Sequence, residues 1–185
     1  MNGFIMRKCC LHFDVPRLYK MMMGEDQHLF STKITINSEE CFANWLLEHM
    51  KSDFHDFFVI ADVNKNASVG YVHNYDFSLK NGNCKIVVYI DAAYRNIGLG
   101  GHCAIKFMDY LFSEYPIKKI YVTIYAYNRE SLYSNLKAGF MEEGVLEKYR
   151  YYNGKFHDLH ILSMNRKRFY NTLQGVINNK SIKFL

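Results

Sequence analysis

Seven consecutive residues, Arg95-Asn96-Ile97-Gly98-Leu99-Gly100-Gly101, carry the plainest chemistry in this chain. They follow a strand-like run, Lys85 to Ile90, and open a helix-like run, Cys103 to Phe112. Glycines between a strand and a helix let the backbone turn tightly and bring its N–H groups close to an anion. The helix start adds partial positive charge. The segment is therefore predicted to bind a phosphate or pyrophosphate group. Its glycine spacing is not G-x-G-x-x-G, and no Gly-Lys-Ser/Thr follows, which argues against a dinucleotide fold and against a P-loop.

Other chemistries are poorly supported. The five cysteines, Cys9, Cys10, Cys41, Cys84 and Cys103, are odd in number and include no C-x-x-C pair. Neither a disulfide framework nor a zinc site fits that pattern, so reduced thiols in a cytoplasmic protein are expected. The eight histidines show no metal-ligand spacing. A net charge of +5 fits either a solvated basic surface or attraction of an anionic cofactor. No aromatic-basic stripe or DNA-reading helix accompanies it, so nucleic acid is not an expected partner. No apolar run reaches the length of a membrane span, and no signal peptide is expected.

These residues need a scaffold, and 185 residues suit one domain. Phe4 to Phe13 reads as a strand. Asp14 then caps a helix beginning near Val15-Pro16 and ending near Gly24. Residues 25–37 read as a loop. Ser38, followed by Glu39-Glu40 and the spacing Phe42, Trp45, Leu46, His49, predicts a second helix. Phe57 to Val63, Ser68 to Phe77 and Cys84 to Ile90 are strands, the last two joined by a turn at Lys80-Asn81-Gly82-Asn83. The glycine-rich turn and its helix run to about Tyr115, where Pro116 ends them. Lys118 to Tyr127 is a strand with Tyr121, Thr123, Tyr125 and Tyr127 on one face. Arg129 to Lys137 is a short helix closed by Ala138-Gly139. Phe140 to Tyr152 and Phe156 to Asn165 form a hairpin about Asn153-Gly154, the strongest short hairpin signal. The tail, 166–185, lies beyond the domain at 1–165 and has a short helix or no fixed structure. This order predicts a mixed α/β sheet with helices on both faces.

Three motifs in this order resemble the GNAT N-acetyltransferase superfamily. Tyr94-Arg95-x-x-Gly98-x-Gly100 is similar to its R-x-x-G-x-G/A acyl-CoA loop. Asn128-x-x-Ser131 is similar to its N-x-x-A/S helix start, and Gly139-Phe140 follows at the family's usual distance. The resemblance covers nearly the whole chain and looks closest to the ribosomal-protein N-terminal and spermidine acetyltransferase branch. The Asn153-Gly154-Lys155-Phe156-His157-Asp158 hairpin and the Ser38 to Leu46 helix support that branch. The resemblance implies an acyl-CoA N-acyltransferase fold, with about seven mostly antiparallel strands and a central parallel pair that splays apart. It implies acetyl-CoA as co-substrate, no metal, a primary-amine acceptor and a monomer or homodimer.

Carried onto this chain, the resemblance implies that Val88 and Ile90 offer backbone groups to the acyl arm. The amides of Asn96, Ile97, Gly98, Leu99, Gly100 and Gly101 would hold the pyrophosphate, with Leu99 packed inward and Arg95 near the phosphates. Asn128 and Ser131 would contact the cofactor chain, and a backbone N–H near Tyr89 or Ile90 would meet the developing oxyanion. His102 would begin the helix, touching a phosphate or only water. Two departures stand out. Asn135 occupies the position where many members carry an acid tyrosine, and an amide delivers no proton at neutral pH. Tyr133 lies on nearly the opposite side of that helix. Asn83-Cys84-Lys85 stands where the branch often has an acid, leaving His73, Asp76 and Tyr125 as replacement bases. His157 and Asp158 read as hairpin supports. Residues 25–37, with Glu25 and Asp26, and the 149–156 hairpin would form the acceptor site. The departures also admit a second reading, a non-catalytic acyl-CoA-binding or regulatory module.

Overall fold

The computed structural model describes residues 3–24, 28–29 and 36–178. Strand β1 (Phe4–Lys8) precedes helices α1 (Leu11–Met22) and α2 (Glu39–Met50). Strands β2 (Phe57–Asp62), β3 (Ala67–Ser78) and β4 (Asn83–Ile90) follow, then helix α3 (Leu99–Glu114) and strand β5 (Lys119–Tyr125). Helix α4 (Arg129–Lys137), strands β6 (Met141–Tyr152) and β7 (Lys155–Asn165), and helix α5 (Arg166–Asn178) come last among the described residues. The sheet has seven strands in the order β1-β2-β3-β4-β5-β7-β6. The β1–β2, β2–β3, β5–β7 and β6–β7 pairs are antiparallel, and β4–β5 is parallel. This is the expected mixed, mostly antiparallel sheet.

Local chemistry accounts for the boundaries. Ser38 is the N-cap of α2, its Oγ accepting from the Cys41 N–H at 3.1 Å. Asn153 and Gly154 both take positive φ, 49° and 80°, as the twisted hairpin turn requires. The boundary between β1 and α1 differs most from expectation. β1 stops at Lys8 and α1 begins at Leu11, so Asp14 lies inside the first turn rather than at the cap. The reason is a better use for its carboxylate. Asp14 is fully buried, accepts two bonds from Arg7 at 2.7 Å each, and accepts one from the Cys10 N–H at 2.7 Å. The tail is also more regular than expected, with α5 running to Asn178.

The chain forms two compact units, Met1–Phe77 with Ile86–Met108, and Ser78–Lys85 with Asp109–Leu185. In the first, Val15, Leu18, Met21 and Met22 of α1 and Phe42 and Leu46 of α2 pack on Phe57, Val59, Tyr71 and Tyr89 of the strands. In the second, Phe112 packs on Phe169 of α5, ring centroids 5.4 Å apart, among buried Leu111, Ile117, Ile120, Leu162 and Met164. Burying such side chains contributes about 1.5–3 kcal/mol each. Among the described residues, no helix is long and apolar enough to cross a membrane.

Candidate active site

Strand β4 leads into the glycine-rich segment, and its backbone alternation decides which groups are on offer. The Asp91 N–H donates to the Val69 carbonyl at 2.8 Å. The Tyr89 carbonyl is also aimed at β3, so closely that a Cβ on Gly70 would overlap it. Residues 89 and 91 therefore spend their backbone groups on β3. Period-two alternation turns the N–H and C=O of Val88 and Ile90 to the opposite edge. The parallel ladder to β5 covers Asn83–Lys119, Cys84–Ile120 and Lys85–Tyr121, whereas β4 continues to Ile90.

After β4, Asp91 organises a short 3-10 turn, Ala92–Tyr94. Its Oδ1 accepts from the Ala93 N–H at 3.0 Å and its carbonyl from the Tyr94 N–H at 2.8 Å. Asn96 and Gly98 then take positive φ, 64° and 81°, which curl the chain into α3. The first α3 bond runs from the His102 N–H to the Gly98 carbonyl at 3.1 Å. The N–H groups of Leu99, Gly100 and Gly101 thus precede any intrahelical acceptor, the arrangement a candidate anion cradle requires. A Cβ on Gly101 would meet nothing within 4 Å, so space beside the cradle is open. Leu99 is buried, as expected, while Ile97 is exposed.

Arg95, expected near the phosphates, turns its side chain back. Its Nε donates to the Ile90 carbonyl at 3.0 Å, and its guanidinium lies 5.7 Å from the Tyr89 ring centroid. Burial, and after it the charge of Lys106, lowers the pKa of His102 below the usual histidine range.

In the second unit, Asn128 caps α4, its Oδ1 accepting from the Ser131 N–H at 3.3 Å. The Asn135 amide bonds back to the Ser131 carbonyl at 2.8 Å and to Ser131 Oγ at 3.4 Å. The structure thus joins Asn128, Ser131 and Asn135 on one helix, with the Asn135 donor directed along it. Tyr133 is well exposed.

Tyr125, buried at the end of β5, accepts a bond at its hydroxyl from Arg150 Nη1 at 2.9 Å, with that guanidinium 4.7 Å from its ring. Its ring stacks on Tyr127 at 5.3 Å, and Tyr127 meets Tyr152 at 4.9 Å and His157 at 4.9 Å. Burial, helped by Tyr125 and Tyr152, raises the Tyr127 hydroxyl above its usual range against an opposing pull from Arg150. Arg150 was not singled out in the sequence. The available signal was a lone arginine among tyrosines, Tyr149-Arg150-Tyr151-Tyr152, beside the Asn-Gly turn.

His73 stacks on His55 at 5.3 Å and on Phe57 at 5.7 Å, and burial pulls its pKa down to about 3. So low a value leaves its imidazole neutral but weakly basic. Asp76 adopts φ 48° on an exposed stretch of β3. His157 and Asp158 brace the hairpin, Asp158 accepting from the Lys148 N–H at 2.8 Å and His157 Nε2 meeting the Tyr152 carbonyl at 3.2 Å. Glu25 and Asp26 lie outside the described residues.

Comparison with known proteins bears on family and fold. The acetyltransferase (GNAT) domain profile matches residues 14–161. YokL, an uncharacterized SPbeta prophage-derived N-acetyltransferase of Bacillus subtilis (strain 168), is 29% identical over 125 residues, 68% of this chain and 70% of that protein. The crystal structure of Vibrio cholerae spermidine N-acetyltransferase with CoA and spermine superposes with a TM-score of 0.83 at 16% identity, over 92% of this chain and 100% of that one. A dodecameric form of the Vibrio cholerae enzyme gives 0.79 at 16% identity, over 92% and 98%. At that identity the superpositions establish a shared fold. With the profile spanning most of its length, this chain belongs to the GNAT acetyltransferase family and is an acyltransferase.

Proposed function

We propose that the protein transfers an acetyl group from acetyl-CoA to a primary amine by direct attack of the amine on the thioester. The observation that carries this reading is the junction of β4 and α3. Positive-φ Asn96 and Gly98 turn the chain into α3 ahead of its first amides, those of Leu99, Gly100 and Gly101, directly after a strand whose Val88 and Ile90 backbone groups alternate away from the edge used by Asp91 on β3. Those two features match what a diphosphate joined to an amide-bearing arm needs from a protein. The amides of residues 96–101 hold the diphosphate, Val88 pairs with the arm, and Ile90, whose carbonyl already accepts from Arg95 Nε, offers its N–H to the acyl group. The Ile90 N–H is the better oxyanion donor, because the Tyr89 N–H belongs to the set turned toward β3. Asn128 and Ser131 are assigned to the cofactor chain by resemblance to the family.

For proton transfer, Tyr125 is the candidate with a proton to give. Its hydroxyl oxygen already accepts from Arg150, so its own hydrogen is left to donate. Asn135 and His73 are the other candidates, the first bonded within its helix and the second a weak base. The acceptor class comprises small amines, amino sugars, polyamines and protein N-termini.

Thiol release from acetyl-CoA against a panel of such amines tests the reading. Turnover on at least one amine is expected. Tight acetyl-CoA binding with no turnover on any amine would instead favour the regulatory module. Gly98→Trp, with folding checked by circular dichroism, is expected to abolish acetyl-CoA binding. Retained binding would remove the phosphate-loop assignment.

A further inference from the structure

We propose that Arg17, on α1, is a positioning residue for the anion cradle, acting through Asp91. The proposal rests on the assignment of residues 96–101 to the cofactor diphosphate and adds a control over it from a distant helix.

The geometry is a two-pronged clamp. Arg17 Nη2 meets Asp91 Oδ2 at 2.6 Å, and Arg17 Nε donates to the Ser68 carbonyl at 3.3 Å. A planar guanidinium fork holds two acceptors at once in a fixed geometry, which an ammonium point charge does not. Asp91 uses its other oxygen, Oδ1, to accept from the Ala93 N–H at 3.0 Å. One carboxylate therefore ties the Arg17 side chain to the turn that launches the cradle. Without the clamp, Asp91 retains a single neighbouring amide to set its rotamer.

Helix α1 is itself held against the same point of β3. Asp14, one turn before Arg17, accepts from Ser68 Oγ at 2.5 Å, while Arg17 takes the carbonyl of that serine. Asp14 is locked in turn by Arg7. The Ser68 segment and the start of the cradle are joined directly, since Val69 accepts from the Asp91 N–H. Arg17 thus closes a ring of contacts through α1, Ser68, Val69 and Asp91. The Arg17 side chain is 43% exposed and that of Asp91 19%. A pair so exposed contributes little to global stability. Its expected effect is on the placement of the turn, and misplacement of binding groups by a fraction of an ångström is felt in affinity.

The test measures acetyl-CoA affinity by calorimetry, steady-state KM and kcat, and Tm for the wild type, Arg17→Met, Arg17→Lys and Asp91→Asn. Arg17→Met is expected to raise the acetyl-CoA dissociation constant and KM about fivefold to tenfold while kcat at saturation stays within about twofold. Arg17→Lys should recover only part of that loss, lacking the fork. Asp91→Asn keeps an acceptor for the Ala93 N–H but loses the charge that holds Arg17. It should weaken binding in the same direction, although removing a negative charge near an anion site would otherwise strengthen it. If Arg17→Met folds poorly, Asp91→Asn carries the test. A lowered Tm with unchanged dissociation constant and KM would reduce Arg17 to a structural contact and overturn the proposal. A wild type that binds no acetyl-CoA would overturn the cradle assignment itself, and this proposal with it.

Discussion

Arg150 Nη1 donates to the Tyr125 hydroxyl at 2.9 Å, with the guanidinium 4.7 Å from the tyrosine ring. The bond joins β6 to the end of β5 across 25 residues of sequence. It leaves the tyrosine hydrogen directed elsewhere. Tyr125→Phe should keep the ring stack on Tyr127 and so leave folding intact, while lowering kcat about 100-fold. Arg150→Met should give a smaller loss, because the hydroxyl survives without its orienting donor. Steady-state kinetics at saturating acetyl-CoA separate these outcomes. An unchanged kcat in Tyr125→Phe would release that residue from the reaction.

Gly70 lies against the Tyr89 carbonyl with no room for a β-carbon, because the strands β3 and β4 approach closely there. Gly70→Ala should push β4 away from β3 and destabilise the protein by about 3 kcal/mol through overpacking. Urea unfolding measures this directly. Gly101→Ala, which meets nothing within 4 Å, provides the matched control with little loss.

The histidine stack predicts acid lability. Burial, with repulsion from His49, pulls His55 down to about 4, and burial with repulsion from His55 pulls His73 down to about 3. Asp56 opposes the shift of His55, and the Asn74 carbonyl opposes that of His73. The unfolded chain takes up these protons near pH 6.5, so stability is full above that value and falls as pH drops toward 4 and then 3. At pH 5 each histidine costs about 2 kcal/mol. His73→Phe should flatten the loss between pH 6.5 and 4, read as Tm against pH.

Asp14 is the reciprocal case. Burial alone would raise its pKa, yet hydrogen bonds from Arg7, Ser68 and the Cys10 N–H outweigh it and hold the carboxyl below its usual range. Its contribution is present at neutral pH and fades as pH falls below that range. Asp14→Ala strands the Arg7 guanidinium and two further donors, and should cost about 3–5 kcal/mol. Denaturant midpoints at pH 7 and in acid test both the size and the sign.

Most of the local backbone from β4 into α3 is legible in the sequence. Gly98 announces a positive φ, Ser38 a cap and Asn153-Gly154 a hairpin, because each depends on torsions and hydrogen bonds within a few residues. The start of α1 was misplaced by the same logic. Asp14 satisfies a cap pattern locally, but Arg7 and Ser68, the latter 54 residues away, claim its carboxylate.

What the amino-acid order determined by itself is the succession of elements and the glycine-bearing bend before α3, since both are written in short-range backbone preferences. Only the tertiary structure decided that Arg150 reaches Tyr125, that Arg17 holds Asp91 across 74 residues, and that three histidines meet ring to ring. Those pairings depend on strand register and helix placement. Both are set by the burial of many side chains at once and carry no local signature.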